Sequence, residues 1–211
     1  MVYELTYRPL DNASNWHQFS RGEINNELLA PDKEVGCFLV LHSSHLLHET
    51  VDLPAQSLEA SWNENCDYYK NKENKTAPVA CHPIYLISVD SGINERVVYI
   101  GKTSSSSSRF TSGHKAISKL HAPEYDGLQK RLYRCCVVFL NKTNELPIEW
   151  VQPFSYANDL LNLFESYLIY CIKPELNVQH VNNNVDFNYG QIHVQNVSGD
   201  TSFLHDNFIN S

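Results

Sequence analysis

Gly101, Lys102 and Thr103 are followed by five serines and then Arg109, within "VVYIGKTSSSSSRF" at residues 97–110. A lysine and an arginine among small hydroxyl residues suit the binding of a phosphoryl group. A phosphate-cradling P-loop is excluded, because it needs a glycine five residues before the glycine of Gly-Lys-Thr, and that position is Arg96. A plain serine linker also fits poorly. The serines lie between a strand-like run and a basic segment, and serine caps helices well, so the run is expected to feed a helix near Ser107 or Ser108. Charge points the same way. The chain carries a net charge of −8, which argues against a generic nucleic-acid coat. Residues 81–140, however, hold 8 basic and 4 acidic residues, whereas 1–80 hold 6 and 12, and 141–211 hold 2 and 8. A local basic patch binds phosphates even on an acidic chain.

Several elements must position this stretch. Residues 83–103 contain two apolar, β-branched runs around "DSGINE", the pattern of a hairpin. A turn centred on Gly92 places Tyr85 opposite Tyr99, Leu86 opposite Val98 and Ile87 opposite Val97. The two tyrosines then share a face, and a slip of one residue would separate them. Upstream, 35–42 reads as a strand, 57–70 as a helix with Leu58, Trp62, Cys66 and Tyr69 at helical spacing, and 71–78 as a linker. Downstream, 114–120 reads as a helix and 132–140 as a strand. A longer helix is expected over 158–173, with Leu160, Leu161, Phe164, Leu168, Cys171 and Ile172 as its apolar stripe and Glu165 at the stripe's edge. Lys173 and Pro174 suit the end of that helix. The polar tail offers one further strand, at "QIHVQNV".

These pieces, in this order, resemble the GIY-YIG nucleases. Ile84 and Tyr85 match the first motif, with Pro83 in place of its glycine. Tyr99, Ile100 and Gly101 match the second motif, and Arg109 follows ten residues after Tyr99. Far downstream, "ESYLIYCIKPELN" (165–177) is similar to the family's helix that carries a metal-binding glutamate, with Glu165 and Asn177 at the matching positions. The resemblance spans residues 83–177. It implies an α+β fold with a small mixed or antiparallel three-stranded sheet flanked by helices. It also implies a catalytic set of Tyr85, Tyr99, Arg109, His114, Glu165 and Asn177, with Lys102 and Arg109 on the substrate phosphate. Many members place a histidine four residues after the arginine. That position is Gly113; a bulge at "TSG" would bring His114 into the site, and His121 is the alternative histidine for another role.

The implied roles suit the residue types. Phosphodiester hydrolysis needs an activated water and neutralised phosphoryl oxygens. Glu165 would hold one Mg²⁺ or Mn²⁺, and Arg109 would fork onto non-bridging oxygens. Tyr85 or Tyr99 would position or deprotonate the attacking water. An unperturbed tyrosine is a poor base near neutral pH, so it needs help from the metal, Arg109 or Lys102.

The 211 residues divide into an N-terminal extension (1–80), a catalytic module (81–178) and a C-terminal tail (179–211). No basic start with an apolar run behind it marks a signal peptide, and no apolar run spans a bilayer. The six cysteines form no C-x-x-C pair and read as reduced, buried thiols, so a cytoplasmic protein without a membrane partner is expected. Within the family the chain resembles the stand-alone restriction endonucleases. The expected partner is then double-stranded DNA, met by a homodimer on a palindromic site. Two alternatives stay open: an inactive module of the same fold that binds nucleic acid or a protein, and an RNA-directed nuclease.

Overall fold

Strand β2 (Ile84–Val89) is buried along its whole length, which places it inside a sheet with both faces covered. The computed structural model describes residues 36–47, 83–103, 114–141, 144–151, 153–182, 185, 187, 191–199 and 201–209. The expected helix at 57–70, the linker at 71–78, the serine run and Arg109 lie outside the described residues.

In chain order the elements are β1 (Cys37–Leu46), β2, β3 (Arg96–Lys102), α1 (Lys115–Lys119), β4 (Lys130–Asn141), β5 (Asn144–Pro147), α2 (Phe154–Ile172), β6 (Ile192–Asn196) and β7 (Asn207–Ile209). The fold is α+β, as expected. The sheet is larger than the expected three strands: seven join in the order β3-β2-β4-β1-β6-β7, with β5 also on β4. The reason is the length of β4. It runs for twelve residues, but β2 covers only Lys130–Cys135. Its other edge pairs with β1 from Arg131 to Phe139, and its far end pairs with β5. Strand β1 in turn takes β6 as a parallel neighbour, so the sheet is mixed. Segments expected as N-terminal extension and C-terminal tail thus hydrogen-bond into the sheet that holds the hairpin.

The hairpin register also differs from expectation. Tyr85 pairs with Gly101, Leu86 with Ile100 and Ile87 with Tyr99; then the register shifts, and Ser88 pairs with Val97. Beside the turn the pairing is shifted by one residue from the expected register, and the bulge at Val98 adds another. Two displacements restore the side-chain parity, so Tyr85 and Tyr99 still share a face.

Each face of the sheet has its own helix. On one face Ile84, Leu86, Ile100 and Tyr133 pack with Leu160, Leu161, Phe164 and Leu168 of α2. Burying one such side chain stabilises by roughly 1.5–3 kcal/mol. On the other face Tyr85, Ile87, Val98 and Leu132 pack with Ala116, Ile117 and Leu120 around α1. Cys135 and Cys136 fall in different clusters, as neighbours on a strand must. Helix α2 starts four residues earlier than expected, behind Pro153. It ends where Lys173 turns left-handed (φ 52°) and gives its N–H to the Ile169 carbonyl at 2.8 Å. Pro174 then stops it.

Candidate active site

Tyr85 lies at the start of β2 with 1% of its surface exposed. Its ring covers Gly101, its partner across the hairpin, where a Cβ would overlap the tyrosine's Cζ and Oη atoms. Tyr99, two residues before Gly101, stands diagonally across with ring centroids 6.0 Å apart. His114 closes this group. It precedes α1 in an extended conformation and is 8% exposed. Its Nε2 lies 2.9 Å from Tyr85 Oη, and its ring meets Tyr99 edge-on at 5.2 Å. Ser118 anchors His114 from one turn on: its N–H and its hydroxyl both donate to the His114 carbonyl, at 2.9 and 3.2 Å. Ile117 and Leu120 are buried in the same apolar cluster as Tyr85, so the packing of α1 holds His114 beside the tyrosines.

Lys102 and Glu165 form a second group. Ile100 faces α2, and alternation along β3 sends Lys102 the same way. Glu165 sits on α2 beside the buried Phe164, and its Oε2 lies 3.5 Å from Lys102 Nζ. The two groups occupy opposite faces of the hairpin at the same end of β3, and Gly101, which lies under the Tyr85 ring, directly precedes Lys102 in the chain. There Thr103 donates its N–H to the Pro83 carbonyl at 2.8 Å and closes the strand pair.

Asn177 binds neither group. Its Oδ1 accepts from the Ile100 N–H at 2.9 Å and its Nδ2 donates to the Ile100 carbonyl at 2.8 Å. Leu176 adds its N–H to the Val98 carbonyl at 2.9 Å. Strand β3 ends the sheet's strand order, so residues after α2 cover its otherwise open edge. Glu175 strengthens this seam by accepting from Tyr125 Oη at 2.9 Å and from Arg96 at 3.2 Å. Burial and the Glu175 carboxylate push the Tyr125 phenol up to about 12.

Two titratable side chains, Arg134 and His42, escape a reading of pattern alone. Arg134 pairs in register with Tyr85 and is 3% exposed, so a guanidinium is buried on the tyrosine face. The one signal in the sequence is a charge inside the apolar run "LYRCCVVFL". His42 occupies the skipped position of a bulge in β1, and burial together with Arg134 holds its imidazole down to about 4. On the α2 face, Glu95 accepts hydrogen bonds from Ser88 Oγ and Tyr133 Oη, each at 2.7 Å. This network ties the hairpin turn to β4. Cys37, Cys135, Cys136 and Cys171 are in no disulfide, and burial pushes the Cys37 and Cys135 thiols far up, so they stay protonated.

No family model, curated protein or solved structure matches the chain. Among the described residues, no group of three or more His, Cys, Asp or Glu side chains is placed to hold a metal ion. A cation at Glu165 would therefore be held by one carboxylate, with water and substrate oxygens completing its shell. Magnesium accepts such a site. The Glu165 side chain, 16% exposed and already facing an ammonium, fits a hard cation of that kind. Among the described residues no helix is long and apolar enough to cross a membrane.

Proposed function

We propose that this chain is a metal-dependent endonuclease that hydrolyses DNA phosphodiester bonds, of the sequence-specific restriction type. The observation that carries the reading is the buried contact between Tyr85 Oη and His114 Nε2 at 2.9 Å, beside Tyr99. A phenol is a weak base by itself, and a partner that takes its proton removes that weakness. With Nε2 unprotonated, His114 accepts the Tyr85 proton as Tyr85 accepts one from the attacking water. Tyr99 borders the same space. Lys102 donates to a non-bridging phosphate oxygen. Arg109 is the second phosphate ligand in this reading. Glu165 holds Mg²⁺ or Mn²⁺, which supplies charge neutralisation on the phosphoryl oxygens. The scissile phosphate sits past the end of β3, where both faces of the hairpin are within reach. Asn177 acts by fixing β3. One site per chain must cut two strands, so two copies on a two-fold symmetric duplex complete the proposal.

Incubation of the full chain with mixed-sequence duplex DNA and Mg²⁺ tests this. Discrete fragments are expected from wild type, with a loss of at least about 100-fold in Tyr85→Phe and Glu165→Gln. Absence of cutting with either Mg²⁺ or Mn²⁺, or full activity in Glu165→Gln, overturns the reading. Random cutting overturns its restriction part, and preference for an RNA duplex or single strand redirects the substrate.

The Lys102–Glu165 pair favours a second reading, because an ammonium already neutralises the carboxylate. In that case the chain binds nucleic acid or a protein partner and does not cut. It would then retain duplex DNA, or a partner, without producing fragments.

A further inference from the structure

Lys102 Nζ lies 3.5 Å from Glu165 Oε2, with the two side chains 24% and 16% exposed. The pair is shielded enough for its attraction to exceed that of a fully exposed pair. It is open enough for an ion to enter from solvent. The lysine carries its charge on a flexible four-carbon stem, so the ammonium can swing while the backbone stays in place. That backbone is held: Lys102 pairs with Ile84, and Thr103 donates its N–H to Pro83. On α2, Glu165 is equally fixed by its buried neighbours Phe164 and Leu168. The mobile part of the pair is therefore the ammonium.

We propose that Lys102 is a resident cation at Glu165, displaced when a divalent cation enters, and that the displaced ammonium turns onto the substrate phosphate. The inference rests on the reading of Glu165 as a metal ligand. Two positive ions cannot share one carboxylate without mutual repulsion, so Lys102 weakens metal binding in the free protein. Substrate phosphate offers the ammonium a new anionic partner and removes that penalty. Metal and DNA therefore bind with positive coupling, and by linkage each raises the affinity of the other by the same factor. The arrangement keeps the metal seat neutralised until substrate is present.

Calorimetric titration of Mn²⁺ into the full-length protein tests the inference without requiring cleavage. Lys102→Met is expected to bind Mn²⁺ about 2- to 5-fold more tightly than wild type, the range that loss of one partly shielded ion pair provides. Lys102→Arg keeps the charge and is expected to stay within about 2-fold of wild type. Lys102→Gln serves as a second neutral variant, and circular dichroism confirms that each variant is folded. Equal or weaker Mn²⁺ binding in both neutral variants, with a heat that Glu165→Gln still abolishes, overturns the displacement and leaves Glu165 as a ligand. No Glu165-dependent heat in any protein, with or without a non-cleavable duplex, overturns the reading beneath it.

Discussion

The ring of Tyr85 occupies the space that a side chain at position 101 would need, so Gly101 is required by its neighbour across the strand pair. Adding a methyl there forces the ring from its seat against His114. Gly101→Ala is expected to destabilise by about 1–3 kcal/mol, as overpacking does. Truncating the ring should relieve the clash, so the Gly101→Ala, Tyr85→Ala double variant should lose less than the sum of the singles. Urea unfolding of all four proteins measures this coupling. Additive losses would mean that the ring moves aside freely.

Tyr85 and His114 act as one proton path in the proposed reaction, and groups that act as a unit are not additive. Tyr85→Phe and His114→Ala should each lower the cleavage rate by about 10²–10⁴-fold, and the double variant should lose hardly more than the worse single. Single-turnover rates on a cleaved duplex report this. Multiplicative losses would assign the two residues separate roles.

Asn177 exchanges two hydrogen bonds with the Ile100 peptide, and Asn177→Ala leaves that N–H and carbonyl without their partners. The expected loss is about 1–3 kcal/mol. For a chain of this size that lowers Tm by roughly 2–4 °C per kcal/mol. Metal binding at Glu165 should be unchanged, since the amide touches neither functional group. A stable variant with weakened metal binding would place Asn177 in the site itself.

His42 makes stability depend on pH. Its folded value, about 4, lies below the ordinary 6.5, so the unfolded chain takes up the proton first. Stability from this group is full above pH 6.5, falls as pH drops through 6.5 toward 4, and levels below that. The drop is of the order of 3 kcal/mol. His42→Gln should flatten this part of the stability–pH curve in denaturant titrations from pH 7 to 4. An unchanged slope would mean that the folded protein accommodates the charged imidazole.

Local pattern made the hairpin, β4, α2 and the strand in the tail legible, because each is a run of apolar residues with a clear period. The sharing of a face by Tyr85 and Tyr99 was also legible, although by a route that pattern cannot reveal. A shifted pairing beside the turn and a bulge at Val98 offset each other in parity, and bulges leave little mark in a sequence. The size of the sheet was hidden for another reason. Strand β1 finds β4 and β6 from almost a hundred and more than a hundred and fifty residues away along the chain, and no local signal names a distant partner. His114 was placed one residue from its expected position by spacing, and only the packing of Ile117 and Leu120 shows where its ring goes. Arg134 announced itself as a charge within "LYRCCVVFL", but its neighbour Tyr85 depends on strand pairing.

The place of β1 between β4 and the parallel β6 bears on how the protein is made. Residues near 40 cannot finish their pairing until residues near 196 have left the ribosome. Such separation raises contact order and slows folding. Until then the nascent chain carries a strand with one open edge, a surface that recruits other strands. The hairpin that holds the tyrosines is local and can form early, whereas β6, which covers the open edge of β1, and β7 beyond it come last. In synthesis, the tyrosine hairpin emerges before the strands that complete the far side of its sheet.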